Sequence, residues 1–216
     1  MNKIYKEITI ITVLYNSSDI VDRFFDSLEN FKIIVVDNGR NERILNKIQN
    51  YKNIQVISKN KNLGYGRAIN FAFENVSTNF FLVLNPDLSI DVNSIENMLN
   101  VLNKYSDCGI VAPMTLPDKD FYGAFPERNL KNVDSSNEIK SRELLLNSKI
   151  EGELCVDVAK GCALLISAEQ FKNVGKFDEK YFLFWEEIDL CRKFRSKKIC
   201  VIVTPKSRAQ HKQGKS

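Results

Sequence analysis

The chain has 216 residues, a formal net charge of +4 and 44% hydrophobic residues. That composition suits one globular domain with its own core and excludes a disordered or fibrous polymer. No apolar run approaches the roughly 20 residues of a membrane-spanning helix, and Glu7 interrupts an N-terminus with no small-residue cleavage site after it, so the start does not read as a signal peptide.

Strand-like and helix-like segments alternate along the chain, the pattern of α/β layers around a largely parallel sheet. Residues 7–14 predict a first strand, and Ser17, Ser18 and Asp19 offer an N-cap to a helix that follows. The run KIIVVD (32–37) predicts a strand buried on both faces. A helix near 41–50 and a strand at 54–58 come next, then the loop KNKNLG and a helix near 65–76. FFLVL (80–84) predicts another buried strand, followed by a helix over 91–104 and a strand at 108–113. Residues 114–150 lack clear periodicity and read as a variable insertion with one helix near 138–147. Strands at 154–158 and 162–167, helices near 168–173 and 186–197, and a strand at 199–203 complete a single domain over 1–216.

The five cysteines show no CxxC and no Cys/His ligand spacing, and read as buried free thiols in a reducing cytosol, so the expected location is cytoplasmic. The net charge hides an asymmetry. After Asp189 there is no acid but nine bases: Arg192, Lys193, Arg195, Lys197, Lys198, Lys206, Arg208, Lys212 and Lys215. Such an end is either a solubilising tail or a surface for anionic lipid, polyphosphate or nucleic acid.

Polar residues cluster just past the carboxyl ends of four predicted strands, where open α/β sheets bind ligands. They are Tyr15 and Asn16, then Asp37 and Asn38, then Asn60 to Gly64, then Asn85 to Asp87. Each alone is compatible with turn chemistry; four at one edge point to a cleft. Asp37 is a turn cap or an acceptor for the ring N–H of a pyrimidine, with Tyr15 as a nearby aromatic face. In NLGYGRAIN, Gly64 and Gly66 flank a helix start that offers N–H groups to phosphate, and Arg67 adds a charged donor for a diphosphate. The third glycine of a dinucleotide fingerprint is Ile69 here, which argues against an NAD(P)-linked oxidoreductase. In LNPDL, Asn85 and Asp87 form either a turn or a two-oxygen site for a hard divalent cation. Glu186, Glu187 and Asp189 open a helix behind the aromatics FLFW; they are dipole partners, or one is a desolvated carboxylate fit for general-base duty. His211, the only histidine, is a solvated residue or a further metal or diphosphate ligand.

Taken in order, ITVLYN, VVDNG, NLGYGRAIN, LNPDL, KGCALLI, FDEKYFLFWEEIDLCRKFR and HKQGKS resemble the family 2 glycosyltransferases, in particular their bacterial rhamnosyltransferase-like branch. The resemblance implies a GT-A fold, a Rossmann-like α/β/α sandwich with a mostly parallel central sheet, and inversion at the anomeric carbon. It implies donor contacts by Tyr15, Asn16, Asp37, Asn62, Gly64, Arg67 and Asn85, a Mg2+ or Mn2+ ion at Asp87 with help from His211, and a general base at Glu187, with Glu186 the other candidate. Glu187 stands where the family usually has Asp. The donor expected is dTDP-rhamnose or a UDP-sugar, and the acceptor a surface glycan, lipid-linked at the cytoplasmic membrane face. The basic end would then be a peripheral membrane contact, and nucleic acid is not among the expected partners. Relatives often continue past the histidine motif, whereas this chain ends five residues after His211, which reads as a short or truncated member. The competing expectation is a non-catalytic nucleotide-sugar-binding relative.

Overall fold

The computed structural model describes residues 3–15, 21–39, 42–116 and 152–211. The helix expected at 138–147, the N-cap residues Ser17, Ser18 and Asp19, and Asn16 lie outside them.

The strands are β1 (Ile8–Leu14), β2 (Lys32–Asp37), β3 (Ile54–Ile57), β4 (Phe80–Leu84), β5 (Leu88–Ile90), β6 (Cys108–Leu116), β7 (Leu154–Cys155), β8 (Ala163–Ser167) and β9 (Cys200–His211). The helices are α1 (Ile4–Glu7), α2 (Val21–Asp26), α3 (Glu42–Ile48), α4 (Tyr65–Phe73), α5 (Val92–Lys104), α6 (Ala168–Asn173) and α7 (Glu186–Ser196). One sheet runs β3-β2-β1-β4-β8-β6-β9-β5, with β7 also on β9. The pairings β3/β2, β2/β1, β1/β4 and β6/β9 are parallel. β8 runs against both β4 and β6, and β5 and β7 run against β9. The expected mostly parallel sheet is therefore present, with β5, β7 and β8 as its reversed members.

Both faces of this sheet are covered, and the alternation of side chains shows it. Ile8, Ile10, Ile33, Val35, Leu82 and Leu84 join a core with Phe24, Phe25 and Ile44 of α2 and α3 and Met98 and Leu102 of α5. Ile11, Ile34, Val36, Phe81 and Val83 join the other, with Ala68 and Phe73 of α4, Phe171 of α6 and Leu190 and Phe194 of α7. Successive strand residues point to opposite faces, so a strand buried on both sides must be apolar throughout. The runs KIIVVD and FFLVL have that form.

Two boundaries differ from expectation. β6 continues to Leu116, so residues 114–116 belong to the sheet rather than to the insertion. The basic end is also no loose tail up to residue 211, because β9 extends to His211. Its pairing to β6 skips from Thr204 to Arg208, the irregularity expected where Pro205 has no N–H for the ladder. α5 fastens the skipped stretch. Ser207 donates its hydroxyl to the Ser94 carbonyl (2.8 Å), Arg208 N–H donates to Ser94 Oγ (3.1 Å) and Asn97 Nδ2 donates to the Lys206 carbonyl (3.1 Å). Lys206 and Arg208 remain exposed on an anchored strand. No helix among the described residues is long and apolar enough to cross a membrane.

The five cysteines are free, but only Cys108, Cys162 and Cys191 are buried. Cys155 is exposed and Cys200 partly so, because they sit on the short β7 and at the start of β9 rather than in the central strands.

Candidate active site

The carboxyl ends of β1, β2 and β4 open on one edge of the sheet, and the polar residues read from the sequence collect there. Tyr15 follows β1 and is 54% exposed. Asp37 ends β2, buried, and accepts the N–H of Gly39 at 3.1 Å. Asn38 is buried too and acts as a clip. Its Nδ2 donates to the Gly64 carbonyl (3.0 Å), and its Oδ1 accepts the N–H of Leu63 (3.3 Å). Asn62 Oδ1 accepts the Gly64 N–H at 2.9 Å, closing the turn before α4.

The motif NLGYGRAIN holds the loop 177–185, which leads into α7. Gly64 has φ +79°, and a Cβ there would lie 2.1 Å from the Phe182 carbonyl oxygen, so only glycine allows this approach. The first N–H of α4, which the sequence offers to a phosphate, donates instead from Tyr65 to Phe182 O at 3.0 Å. Arg67 Nε donates to the Glu179 carbonyl. Asn70, buried, grips the backbone of Phe177 twice, donating to its carbonyl (3.0 Å) and accepting its N–H (3.1 Å). Tyr65 and Arg67 are about 200° apart around the helix, so they serve different sides. Tyr65 reaches into the site, and Arg67 turns to Glu179 and a concavity of about 470 Å³ shared with Lys59, Lys61 and Lys176.

Tyr65 is a site residue that the sequence reading missed. Its hydroxyl lies 2.6 Å from Asn85 Oδ1 and 2.9 Å from the Gly161 carbonyl. Burial, and then the electrostatic influence of Cys162, Glu186, Glu187 and Asp87 nearby, hold the phenol well above its ordinary pKa. It is therefore a neutral donor, and its one proton serves one of the two oxygens at a time. The signal in the sequence was slight: an aromatic one residue past a helix-opening glycine.

Asn85 and Asp87 sit in the turn between β4 and β5. The Asn85 N–H donates to Cys162 O (2.9 Å) and the Leu88 N–H to Asn85 O (3.2 Å). Asp87 is 2% exposed. β5, absent from the sequence reading, pairs with β9 so that Leu88 stands opposite His211. The backbone of His211 thus comes beside the residue that follows Asp87.

α7 starts on a strained turn. Phe184 and Trp185 take φ +67° and +72°, left-handed values that are rare for aromatic residues. Glu186 and Glu187 follow. Burial raises the Glu186 carboxyl above the ordinary range, and the Glu187 charge adds to this. Burial raises that of Glu187 too, partly offset by the N–H groups of Glu187 and Ile188. Each has a buried Oε2 with no hydrogen-bond partner. Glu187 packs on Gly161, where an added Cβ would come within 3.2 Å of the Glu187 Cβ. Asp189 forms an i,i+4 ion pair with Lys193 (3.2 Å), a helix-surface role.

The fold and this edge define an α/β domain with an open, mostly parallel sheet and polar residues gathered where its strands end. The family model "Glycosyl transferase family 2" matches residues 9–165, and the chain belongs to that family. The match ends before α7. An N-acetylglucosaminyl-diphospho-decaprenol L-rhamnosyltransferase of Mycobacterium tuberculosis is 24% identical over 84% of this chain and 68% of its own length. The low-salt glycan biosynthesis hexosyltransferase Agl10 of Haloferax volcanii is 25% identical over 89% of this chain and 63% of its own. Among solved structures, GalNAc-T7 with UDP, GalNAc and Mn2+ aligns with a TM-score of 0.77 at 13% identity, over 97% of this chain and 44% of the other. The mannosyltransferase PcManGT of Pyrobaculum calidifontis, in complex with GDP-Man and Mn2+, aligns at 0.72 and 14%, over 97% and 58%. These structures establish the GT-A fold. The family model establishes a family 2 glycosyltransferase, and a rhamnosyltransferase is among its similar relatives.

Proposed function

We propose that the chain moves a sugar from a nucleoside-diphosphate donor to an acceptor hydroxyl by one in-line displacement, with inversion. The observation that carries this reading is the grouping of three carboxylates, Asp87, Glu186 and Glu187, around the partly buried Tyr65, two of them with raised pKa. Raised carboxylates grouped beside a ligand edge suit proton abstraction near neutral pH.

Glu187 takes the acceptor proton onto its carboxylate. The acceptor oxygen then bonds to the anomeric carbon as the bond from that carbon to the diphosphate oxygen breaks. Glu186, only 4% exposed, has its own carboxyl raised by burial and by the Glu187 charge, which makes it the other candidate for the base. Tyr15 and Asp37 flank the nucleotide, and Asn62 with Gly64 shapes the turn beneath it.

The residues fit a divalent cation held largely by its substrate. No three His, Cys, Asp or Glu side chains among the described residues form a metal cage. Asp87 supplies one buried carboxylate, and Asn85 supplies an amide. Turned over, that amide would donate to the Tyr65 oxygen and leave its own oxygen for the ion. Few protein ligands plus phosphate oxygens is the usual arrangement for Mg2+, and Mn2+ in the two structural relatives supports the same class. When bound, the cation neutralises charge on the departing diphosphate. His211, whose backbone pairs opposite Leu88, would be a further ligand.

The donor we propose is dTDP-rhamnose or a UDP-sugar and the acceptor a lipid-linked surface glycan; an L-rhamnosyltransferase relative named for a diphospho-decaprenol acceptor and a structural relative holding UDP support that reading. The test is donor turnover with and without Mn2+ for the wild type and Glu187→Gln. Metal-dependent turnover lost in the variant is expected; equal turnover would refute the base assignment.

A further inference from the structure

Six large hydrophobic side chains are notably exposed among the described residues, and four are consecutive: Phe182 (53%), Leu183 (52%), Phe184 (69%) and Trp185 (66%). A contiguous exposed apolar patch marks an interaction surface. This one is built, not loose. α4 grips the loop at Phe177, Glu179 and Phe182. Phe184 and Trp185 are held left-handed, a strained conformation for aromatic residues. The fold accepts that strain to turn these rings toward solvent.

We propose that this tip docks on an anionic lipid bilayer. Its chemistry is that of the membrane–water interface, where Trp and Phe are favoured and basic side chains meet acidic headgroups. Lys180 adjoins the tip, and Lys59, Lys61, Arg67 and Lys176 line the concavity beside the same loop. The acids of that concavity are Glu74, ion-paired to Lys176, and Glu179. A platform for one sugar ring would use one aromatic face and leave the rest of the tetrad in water; a bilayer accommodates all four. Because α7 starts directly after Trp185, docking sets Glu186 and Glu187 within about one helical turn, roughly 5 Å, of the headgroup layer. A hydroxyl on a lipid-anchored acceptor would meet them there. This last step rests on the proposed function; the docking does not.

Trp185 is the only tryptophan, so intrinsic fluorescence reports on the tip alone. The full chain is mixed, without donor or metal, with phosphatidylglycerol-containing or pure phosphatidylcholine vesicles, at low and high salt. The expected result is a blue shift of Trp185 emission and quenching by brominated lipid on the anionic vesicles. Phe182→Ser with Leu183→Ser should lose vesicle co-sedimentation at least tenfold while keeping the far-UV spectrum of the folded wild type. Lys59→Gln and Lys61→Gln should weaken it about fivefold each at low salt. Three results would overturn the proposal. One is co-sedimentation with no change in Trp185 emission. Another is loss only on replacing Lys206, Arg208, Lys212 and Lys215 by Gln. The third is a Trp185 shift with soluble glycan and none with vesicles, which would assign the tip to sugar. Failed transfer activity alongside the expected vesicle result would sink the catalytic reading and leave the docking intact.

Discussion

The turns after β2 and β3 and the start of α7 meet at one site but are built in opposite ways. In the turns, polar groups are answered from within the chain: Asp37 by Gly39, Asn38 by Leu63 and Gly64, Asn62 by Gly64. At α7, two carboxylate oxygens are buried with no hydrogen-bond partner, two aromatic residues are left-handed, and four apolar side chains face water. The first region is a scaffold whose local choices agree with the fold. The second departs from the rules of stable structure in three ways within six residues, and such departures gather where chemistry or binding needs them. NLGYGRAIN connects the two, fixed by Asn38 on one side and gripping loop 177–185 on the other.

If that contrast is functional, substitutions at α7 and Asp87 should affect activity, and substitutions in the connecting motif should affect folding as well. The largest effect is expected for Asp87→Asn, which removes the buried carboxylate of LNPDL. Metal-dependent turnover should fall by about 10³-fold, the several kcal/mol a Lewis-acid ion supplies. A Mn2+ titration of activity checks this, and unchanged metal dependence would remove Asp87 from the site. Glu187→Gln should lower turnover by about 10²–10⁴-fold with donor affinity retained. A loss of that size in Glu186→Gln but not in Glu187→Gln would move the base by one residue.

Tyr65→Phe keeps the ring and removes its hydrogen bonds to Asn85 and Gly161. Because it orients a neighbour of the ion rather than the ion itself, apparent Mn2+ affinity should weaken about 10–100-fold, with a smaller change at saturating metal. Gly64→Ala forces a Cβ onto the Phe182 carbonyl and should destabilise the fold by about 1–3 kcal/mol. Urea unfolding measures this; an unchanged midpoint would mean that the grip on loop 177–185 is dispensable.

The smallest effect sharpens the contrast through pH. A carboxyl whose folded pKa lies above its unfolded value of about 4.3 binds more protons when folded. Stability therefore falls as pH rises through the window between the two values, and the loss persists above it. Glu186→Gln and Glu187→Gln should each melt higher than the wild type at pH 8 and no higher near pH 4, as thermal unfolding at the two pH values would show. The acidic limb of kcat/KM should likewise lie above the ordinary glutamate range.

Much of the sheet was legible because strands buried on both faces must be apolar runs, as KIIVVD and FFLVL are. β5 was not, since three residues after a turn carry no period of their own; only its pairing with β9 makes it a strand. The length of β9 was hidden for a related reason. Its outer half alternates exposed Lys206 and Arg208 with buried Ser207 and Ala209, so the lysine and arginine suggested a tail while the anchoring contacts to Ser94 and Asn97 lie more than a hundred residues away in sequence. At the site, the acids of EEID and LNPDL were visible as residue types in turns and first helical positions. What joins them was not. Tyr65 reaches Gly161 across 96 positions and Arg67 reaches Glu179 across 112, contacts that no local pattern encodes.

The most direct measurement is a thermal-shift screen of nucleoside-diphosphate sugars with and without Mn2+. A donor at 100 times its dissociation constant stabilises the fold by about 2.7 kcal/mol. At least one such donor should raise the melting temperature only with the ion present, the shift surviving Glu187→Gln and disappearing in Asp87→Asn. A shift that needs no metal, or that persists undiminished in Asp87→Asn, would contradict the site described for this chain.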